Sequence, residues 1–70
     1  MNISETVGKN LKYARKNSGL TQAQVAESLH MAQQQYSSFE TGKFELNYEQ
    51  ILFLCKLFDV TPNEIFGYEF

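Results

Sequence analysis

The 70-residue sequence is poor in the residue types that mark several large classes of protein. A single cysteine, Cys55, rules out a disulfide within the chain and is typical of a reducing cytoplasm. One histidine, scattered carboxylates and no glycine-rich phosphate loop argue against a catalytic triad or a metal cluster. No apolar run approaches the roughly 20 residues of a membrane-spanning helix, and no signal peptide opens the chain. We therefore expect a cytoplasmic protein that is not an enzyme and has no metal, cofactor, small-molecule ligand or membrane partner.

Positive charge is also scarce, because six Lys and Arg residues stand against eight Asp and Glu residues. The resulting net charge of -2 does not by itself indicate a nucleic-acid partner. Its distribution is more informative, since residues 1–43 have a balance of +2 and residues 44–70 a balance of -4. A mildly basic front and an acidic rear would orient the domain before a polyanion.

The stretch from residue 20 to residue 43 reads LTQAQVAESLHMAQQQYSSFETGK and predicts two short helices joined by a tight turn. Thr21 and Gln24 form a capping-box pattern that begins the first helix. Tyr36 and Phe39, three residues apart, give the second helix one apolar stripe, and Gly42 favours a left-handed end to it. Two helices this short cannot bury their apolar faces alone, so the rest of the chain should be scaffold for them.

Helices are also predicted before and after this pair. Residues 4–18 carry one inward apolar stripe and stop at Gly19. Asn47 and Gln50 offer another capping pattern, and the helix that they begin should end near Asp59. Because this fourth helix is apolar almost all round, we predict that it is central and buried.

A fifth, short helix should begin at Pro62, which Thr61 precedes as a cap. The predicted fold is therefore all-α, a compact five-helix domain that spans residues 1–70 as one unit. Cys55 lies among apolar residues of the fourth helix, so we interpret it as a small core residue rather than a reactive thiol.

The residues that carry these signals also resemble a known family. From about Leu11 to Phe66 the chain is similar to the helix-turn-helix domain of the phage Cro and repressor type, the XRE-like regulators. The resemblance implies a lambda-repressor-like fold, double-stranded DNA as partner and a dimeric transcription regulator. The positions that match are Gly19, Leu20, Thr21, Gln22, Val25, Ala26, Leu29, Tyr36, Ser37, Phe39, Glu40, Gly42, Lys43, Val60, Thr61, Pro62, Glu64 and Phe66.

The resemblance makes the second helix of the pair a recognition helix that begins near Gln33. With Tyr36 and Phe39 directed inward, its outward residues would read base edges in the major groove. A glutamine amide both donates and accepts, so it matches the edge of adenine without carrying charge. Three consecutive glutamines could also be no more than soluble helix formers. The base-reading candidates are Gln33, Gln34, Ser37 and Ser38.

Two further sets of residues receive roles from the resemblance. Gln22 would contact the DNA backbone at the start of its helix, and Lys43 follows the recognition helix as a second phosphate candidate. Lys9 and Lys12 are weaker candidates, since charged residues on a first helix are often only solvated. Arg15 and Glu40 match positions of a buried ion pair, which gives them a structural role, with DNA contact by Arg15 as the alternative.

The chain also offers a surface for a homodimer, because its last residues hold more apolar groups than a free tail needs. The dimer candidates are Ile65, Phe66, Tyr68 and Phe70, and some of them could instead fold back on the core.

Two positions depart from the family pattern. His30 stands where the turn usually has glycine, which should cost roughly 1–2 kcal/mol in a left-handed conformation. Ala32 stands where a serine or threonine usually caps the recognition helix, at a cost of about 1 kcal/mol. The outward positions also lack arginine and lysine. We therefore keep a second hypothesis beside the DNA-binding repressor: a protein-interaction module on the same fold, such as an antitoxin, anti-repressor or adaptor.

Overall fold

The computed structural model describes residues 2–67, and these form five α-helices without a strand. The prediction of an all-α, five-helix domain is confirmed, with helix bounds close to those expected. Within the described range, no helix has both the length and the apolar character needed to cross a membrane. The helices are α1 (Ile3–Asn17), α2 (Gln22–Ser28), α3 (Gln33–Glu40), α4 (Tyr48–Phe58) and α5 (Pro62–Phe66).

Side-chain caps begin four of the five helices. Asn2 accepts a hydrogen bond from the backbone N–H of Glu5 at 2.8 Å, which starts α1 slightly earlier than expected. Thr21 and Gln24 form a reciprocal capping box at α2, with donor–acceptor distances of 3.1 and 2.9 Å. The boxes of α4 and α5 are Asn47 with Gln50 and Thr61 with Glu64.

The start of α3 is the exception. Ala32 occupies its N-cap position and provides no side-chain hydrogen bond. In the turn before it, His30 adopts the left-handed conformation with a φ of 57°. Both departures noted in the sequence are therefore present, and both make this turn less stable than a glycine and a capping hydroxyl would.

Each of the five helices contributes to one core. The rings of Tyr36 and Phe39 on α3 meet edge to face, with centroids 6.2 Å apart and planes at 84°. Cys55 is buried as expected. The buried apolar residues are Val7, Leu11, Ala14, Val25, Ala26, Tyr36, Phe39, Leu54, Cys55, Phe58 and Ile65.

The prediction that α4 is a central, buried helix is wrong. It buries Leu54 and Phe58 against the core but leaves Tyr48, Leu52 and Phe53 exposed. The reason is that α4 packs on one side, against α1 and α5. Periodicity cannot distinguish a surrounded helix from one whose outer face is apolar and open.

The C-terminal end of the described chain also corrects an expectation. Ile65 is only 1% exposed and belongs to the core, so it is not available as a dimer contact. The amide of Asn10 donates to the backbone carbonyl of Ile65 at 2.8 Å and holds α5 against α1. Phe66 is half-buried, and the predicted roles of Tyr68 and Phe70 lie outside the described residues.

Candidate nucleic-acid interface

Helix α3 has two chemically distinct faces. Tyr36, Phe39 and Glu40 are buried on the inner face. Gln33 and Gln34 are exposed on the outer face, and their side-chain amides make no hydrogen bond to any described residue. Both amides therefore keep their full donor and acceptor capacity for a ligand.

The two serines predicted to join these glutamines are only half exposed. The hydroxyl of Ser38 donates to the backbone carbonyl of Gln35 at 2.5 Å, so it is oriented by its own helix and keeps acceptor capacity. Ser37 lies one position earlier, at the edge of the outer face. Both serines can contact a ligand that approaches α3 closely, but neither projects as far as the glutamines.

A groove beside α3 extends the outer face towards the start of α4. Gln34 and Ser38 line it from one side, and Phe44 and Asn47 from the other. The exposed Gln35 lines the same groove, although it was not among the predicted site residues. The sequence indicated this residue only as the third of three consecutive glutamines.

Glu40 links three helices at the inner face of α3. Arg15 on α1 holds its carboxylate with two donors, Nε to Oε2 at 2.6 Å and Nη2 to Oε1 at 3.1 Å. Gln22 on α2 donates from Nε2 to Oε1 at 3.0 Å. Arg15 also donates to the backbone carbonyl of Leu20 at 2.9 Å. The two helices of the motif are therefore joined to each other and to α1 through one carboxylate.

The pKa values of these groups reflect the network. Burial alone would raise the pKa of Glu40, but hydrogen bonds from Arg15 and then Gln22 outweigh it and lower the pKa below its usual value. The hydrogen bond to Glu40 raises the pKa of Arg15. Both groups are therefore charged over the physiological pH range, and the pair has the geometry of a bidentate fork.

Tyr36 lies next to this pair as a neutral group. Its hydroxyl is buried and makes no hydrogen bond within residues 2–67. Burial raises the pKa of Tyr36, and the nearby carboxylate of Glu40 raises it further. Tyr36 therefore stabilises the core through the packing of its ring, and its phenol stays neutral.

Gly8 determines how closely α1 and α3 approach. A Cβ atom at this position would lie 2.7 Å from the backbone carbonyl oxygen of Phe39 and in contact with that of Glu40. Only glycine allows the two helices to meet at this distance. No role was predicted for Gly8, because its only signal in the sequence is a glycine inside a helix.

The phosphate candidates do not form one cluster. Lys9 lines a groove with Glu40 and Thr41 at the C-terminal end of α3, and the exposed Lys43 follows that end of the helix. Gln22 reaches the same end, but one of its amide hydrogens is used by Glu40. Lys12 is exposed one turn along α1 from Lys9. In the part of the chain that the structure describes, no group of three or more potential metal ligands occurs.

Comparison with known proteins agrees with this geometry. A family model described as a helix-turn-helix domain matches residues 8–67, which is well over half of the chain. No curated protein matches the chain. The match covers all of α2 and α3 and the core that supports them, in agreement with the resemblance to the phage Cro and repressor type. With α2 and α3 as the two helices of the motif, the chain belongs to the helix-turn-helix domain family, a family of DNA-binding domains.

Proposed function

We propose that the chain is a cytoplasmic transcription regulator that binds a specific double-stranded DNA sequence and acts as a homodimeric repressor. DNA binding follows from the family of the domain. The observation that carries the finer proposal is the outer face of α3, where two unpaired glutamine amides stand on a helix whose inner face is fixed by the core and by Glu40.

Base reading would begin at the N-terminal turn of α3. The major groove of B-DNA admits an α-helix, and a glutamine amide can bind adenine N6 and N7 together. Gln33 and Gln34 are therefore the primary readers, with Ser37 and Ser38 as shorter-range contacts. Each half-site should contain an A·T pair for each active glutamine.

A two-fold dimer would double these contacts. It would place two recognition helices one helical turn apart, about 34–36 Å, and the operator would be an inverted repeat with matching spacing. Of the C-terminal residues first considered for the dimer, Phe66 is half-buried and remains a candidate. Tyr68 and Phe70 remain candidates from the sequence alone.

Phosphate contacts would come from few charges. Lys9 and Lys43 lie at the C-terminal end of α3, and the remaining amide hydrogen of Gln22 and the side chain of Lys12 are further candidates. With about two to four cationic contacts in the dimer, log affinity should fall against log salt with a slope of roughly -2 to -4. A slope near -8 would require additional lysines of α1 at the DNA.

The proposal is tested by Gln33→Ala and Gln34→Ala, each measured on a site selected from random DNA and on random duplex at one salt concentration. Each change should cost about 1–3 kcal/mol on the selected site, because a bidentate base contact is lost. Each change should cost little binding free energy on random duplex, since these amides are not expected to contact phosphates. Asn63→Ala, which removes an exposed amide from α5, is the control and should change neither affinity.

Equal losses on both DNAs, or none on either, would remove the glutamines from base reading. The second hypothesis, a protein-interaction module, is favoured by the absence of Lys and Arg from α3 and by the net charge of -2. Retention on random duplex at low salt, lost as salt rises, would favour DNA binding. Complete indifference to duplex DNA at low salt would favour the interaction module.

A further inference from the structure

The outward face of α4 is an apolar surface that no other described element covers. Six large apolar residues are exposed in residues 2–67, and three of them lie on this one helix. Tyr48 is 87% exposed, Leu52 57% and Phe53 41%. Large apolar side chains that cluster on one exposed helix face can form a contact with another molecule.

Two opposite charges share this face. Glu49 and Lys56 are both exposed, and neither forms an ion pair with a described residue. At about 100° per residue, the Glu49 and Lys56 positions lie in nearly the same direction from the helix axis. Leu52 lies to one side of this direction and Phe53 to the other. The two charges are about 10 Å apart along the helix axis, too far to pair with each other. The face therefore presents a negative and a positive charge in line, with an apolar side chain on each flank.

The order of these four residues is symmetric about one point. Their spacing is i, i+3, i+4, i+7, for Glu49, Leu52, Phe53 and Lys56. This spacing is unchanged when the helix is read from its other end. A two-fold contact requires a surface that complements itself in this way. Antiparallel α4 helices would place each acid opposite a base, whereas parallel helices would place like charges together.

We propose that α4 is the surface on which a second copy of this chain docks, antiparallel, around a two-fold axis that passes between Leu52 and Phe53. Glu49 then faces Lys56 of the partner subunit, and the reverse pair forms on the other side of the axis. Each Leu52 contacts its symmetry mate on one flank, and each Phe53 does so on the other. Tyr48 extends the leucine flank.

This inference deepens the proposed function, because it gives the homodimer a contact surface on α4 rather than at the C-terminal end of the chain. It rests on the dimer of that proposal, but it can be tested without DNA. Its failure is thus distinguishable from a failure of DNA recognition. A dimer that ignores DNA would refute the proposed function and leave the α4 contact intact.

The test is a charge exchange, followed by sedimentation equilibrium of the full chain at low salt. Glu49→Lys and Lys56→Glu each place like charges together twice in the dimer, so each should raise the dimer Kd about tenfold or more. The double variant Glu49→Lys/Lys56→Glu restores opposite charges at both contacts and should return the Kd to within about threefold of the original. Glu27→Lys, the same charge change on the exposed side of α2, is the control and should leave the Kd unchanged.

All the substituted residues are exposed, so circular dichroism should report the same helical fold for every variant. Single changes that behave like the control, or a double variant no better than the singles, would overturn the proposal. So would a chain that stays monomeric at about millimolar concentration. A dimer lost on removal of residues 68–70 but insensitive to the exchange would place the contact at the C-terminal end instead.

Discussion

Glu40→Ala should be among the most damaging single substitutions in the domain. The carboxylate accepts two hydrogen bonds from Arg15 and one from Gln22, and its side chain is 2% exposed. Its removal leaves the guanidinium of Arg15, which is 10% exposed, with the carbonyl of Leu20 as its remaining partner. Gln22 loses its acceptor at the same time.

The magnitude follows from the uncompensated charge. Removing one partner of a buried ion pair typically costs about 3–5 kcal/mol, because the other charge stays desolvated. Small domains have a total stability of about 0.05–0.15 kcal/mol per residue, so the loss is comparable with the whole free energy of unfolding of this chain. Glu40→Ala should therefore be largely unfolded or unfold at very low urea concentration.

The assay is urea unfolding followed by circular dichroism at pH 7. Glu27→Ala removes an exposed carboxylate from α2 and should change the free energy of unfolding by less than about 0.5 kcal/mol. Arg15→Met combined with Glu40→Leu removes both charges and should recover most of the stability, since no buried charge is left alone. A Glu40→Ala variant within about 1 kcal/mol of the original chain would refute the reasoning. A double variant as unstable as the single would show that the buried arginine is not the cause.

Three further predictions concern stability. Because the pKa of Glu40 is lowered in the folded state, its contribution to stability is complete above the usual carboxyl pKa and is lost as pH falls through the lower folded value. The urea midpoint should therefore fall on acidification, and fall less in Glu40→Gln; an equal fall in both proteins would exclude this carboxylate as the cause. Gly8→Ala should lower the free energy of unfolding by about 1–3 kcal/mol in thermal melts, because the added Cβ meets the carbonyl of Phe39. A gain in stability, as expected for alanine in an open helix, would show that α1 and α3 are farther apart. Ala32→Ser should stabilise by about 0.5–2 kcal/mol through a new cap on α3, and a loss would place the start of α3 elsewhere.

Helix existence and helix ends could be predicted from the sequence because their causes are local. The capping box of Thr21 and Gln24 and the glycine turn at Gly42 each involve residues within a few positions of one another. The ion pair of Arg15 and Glu40 spans 25 positions, yet the family resemblance indicated it. Periodicity together with one resemblance was therefore enough for the fold.

The parts that could not be predicted depend on how helices lie against each other. Nothing in the residues around Gly8 indicates that α1 crosses the end of α3 there. The hydrogen bond from Gln22 to Glu40 joins residues 18 positions apart, and no pattern connects them. The outward turn of Leu52 and the burial of Ile65 are likewise consequences of packing. Hydrophobicity indicates which side chains are suited to burial, but the packing of the helices determines which of those side chains are buried.

The division of α3 into two faces has a consequence for how this helix-turn-helix domain can change. The contacts that hold the helix in place belong to Tyr36, Phe39 and Glu40, whereas Gln33 and Gln34 contribute little to the core. Mutations at the two glutamines therefore leave the fold nearly unchanged while they alter the side chains that the outer face of α3 presents. A gene duplicate could acquire a new target by a few substitutions without passing through an unfolded ancestor. If the two glutamines read bases as proposed, target preference and foldability can evolve at separate rates within the eight residues of one helix.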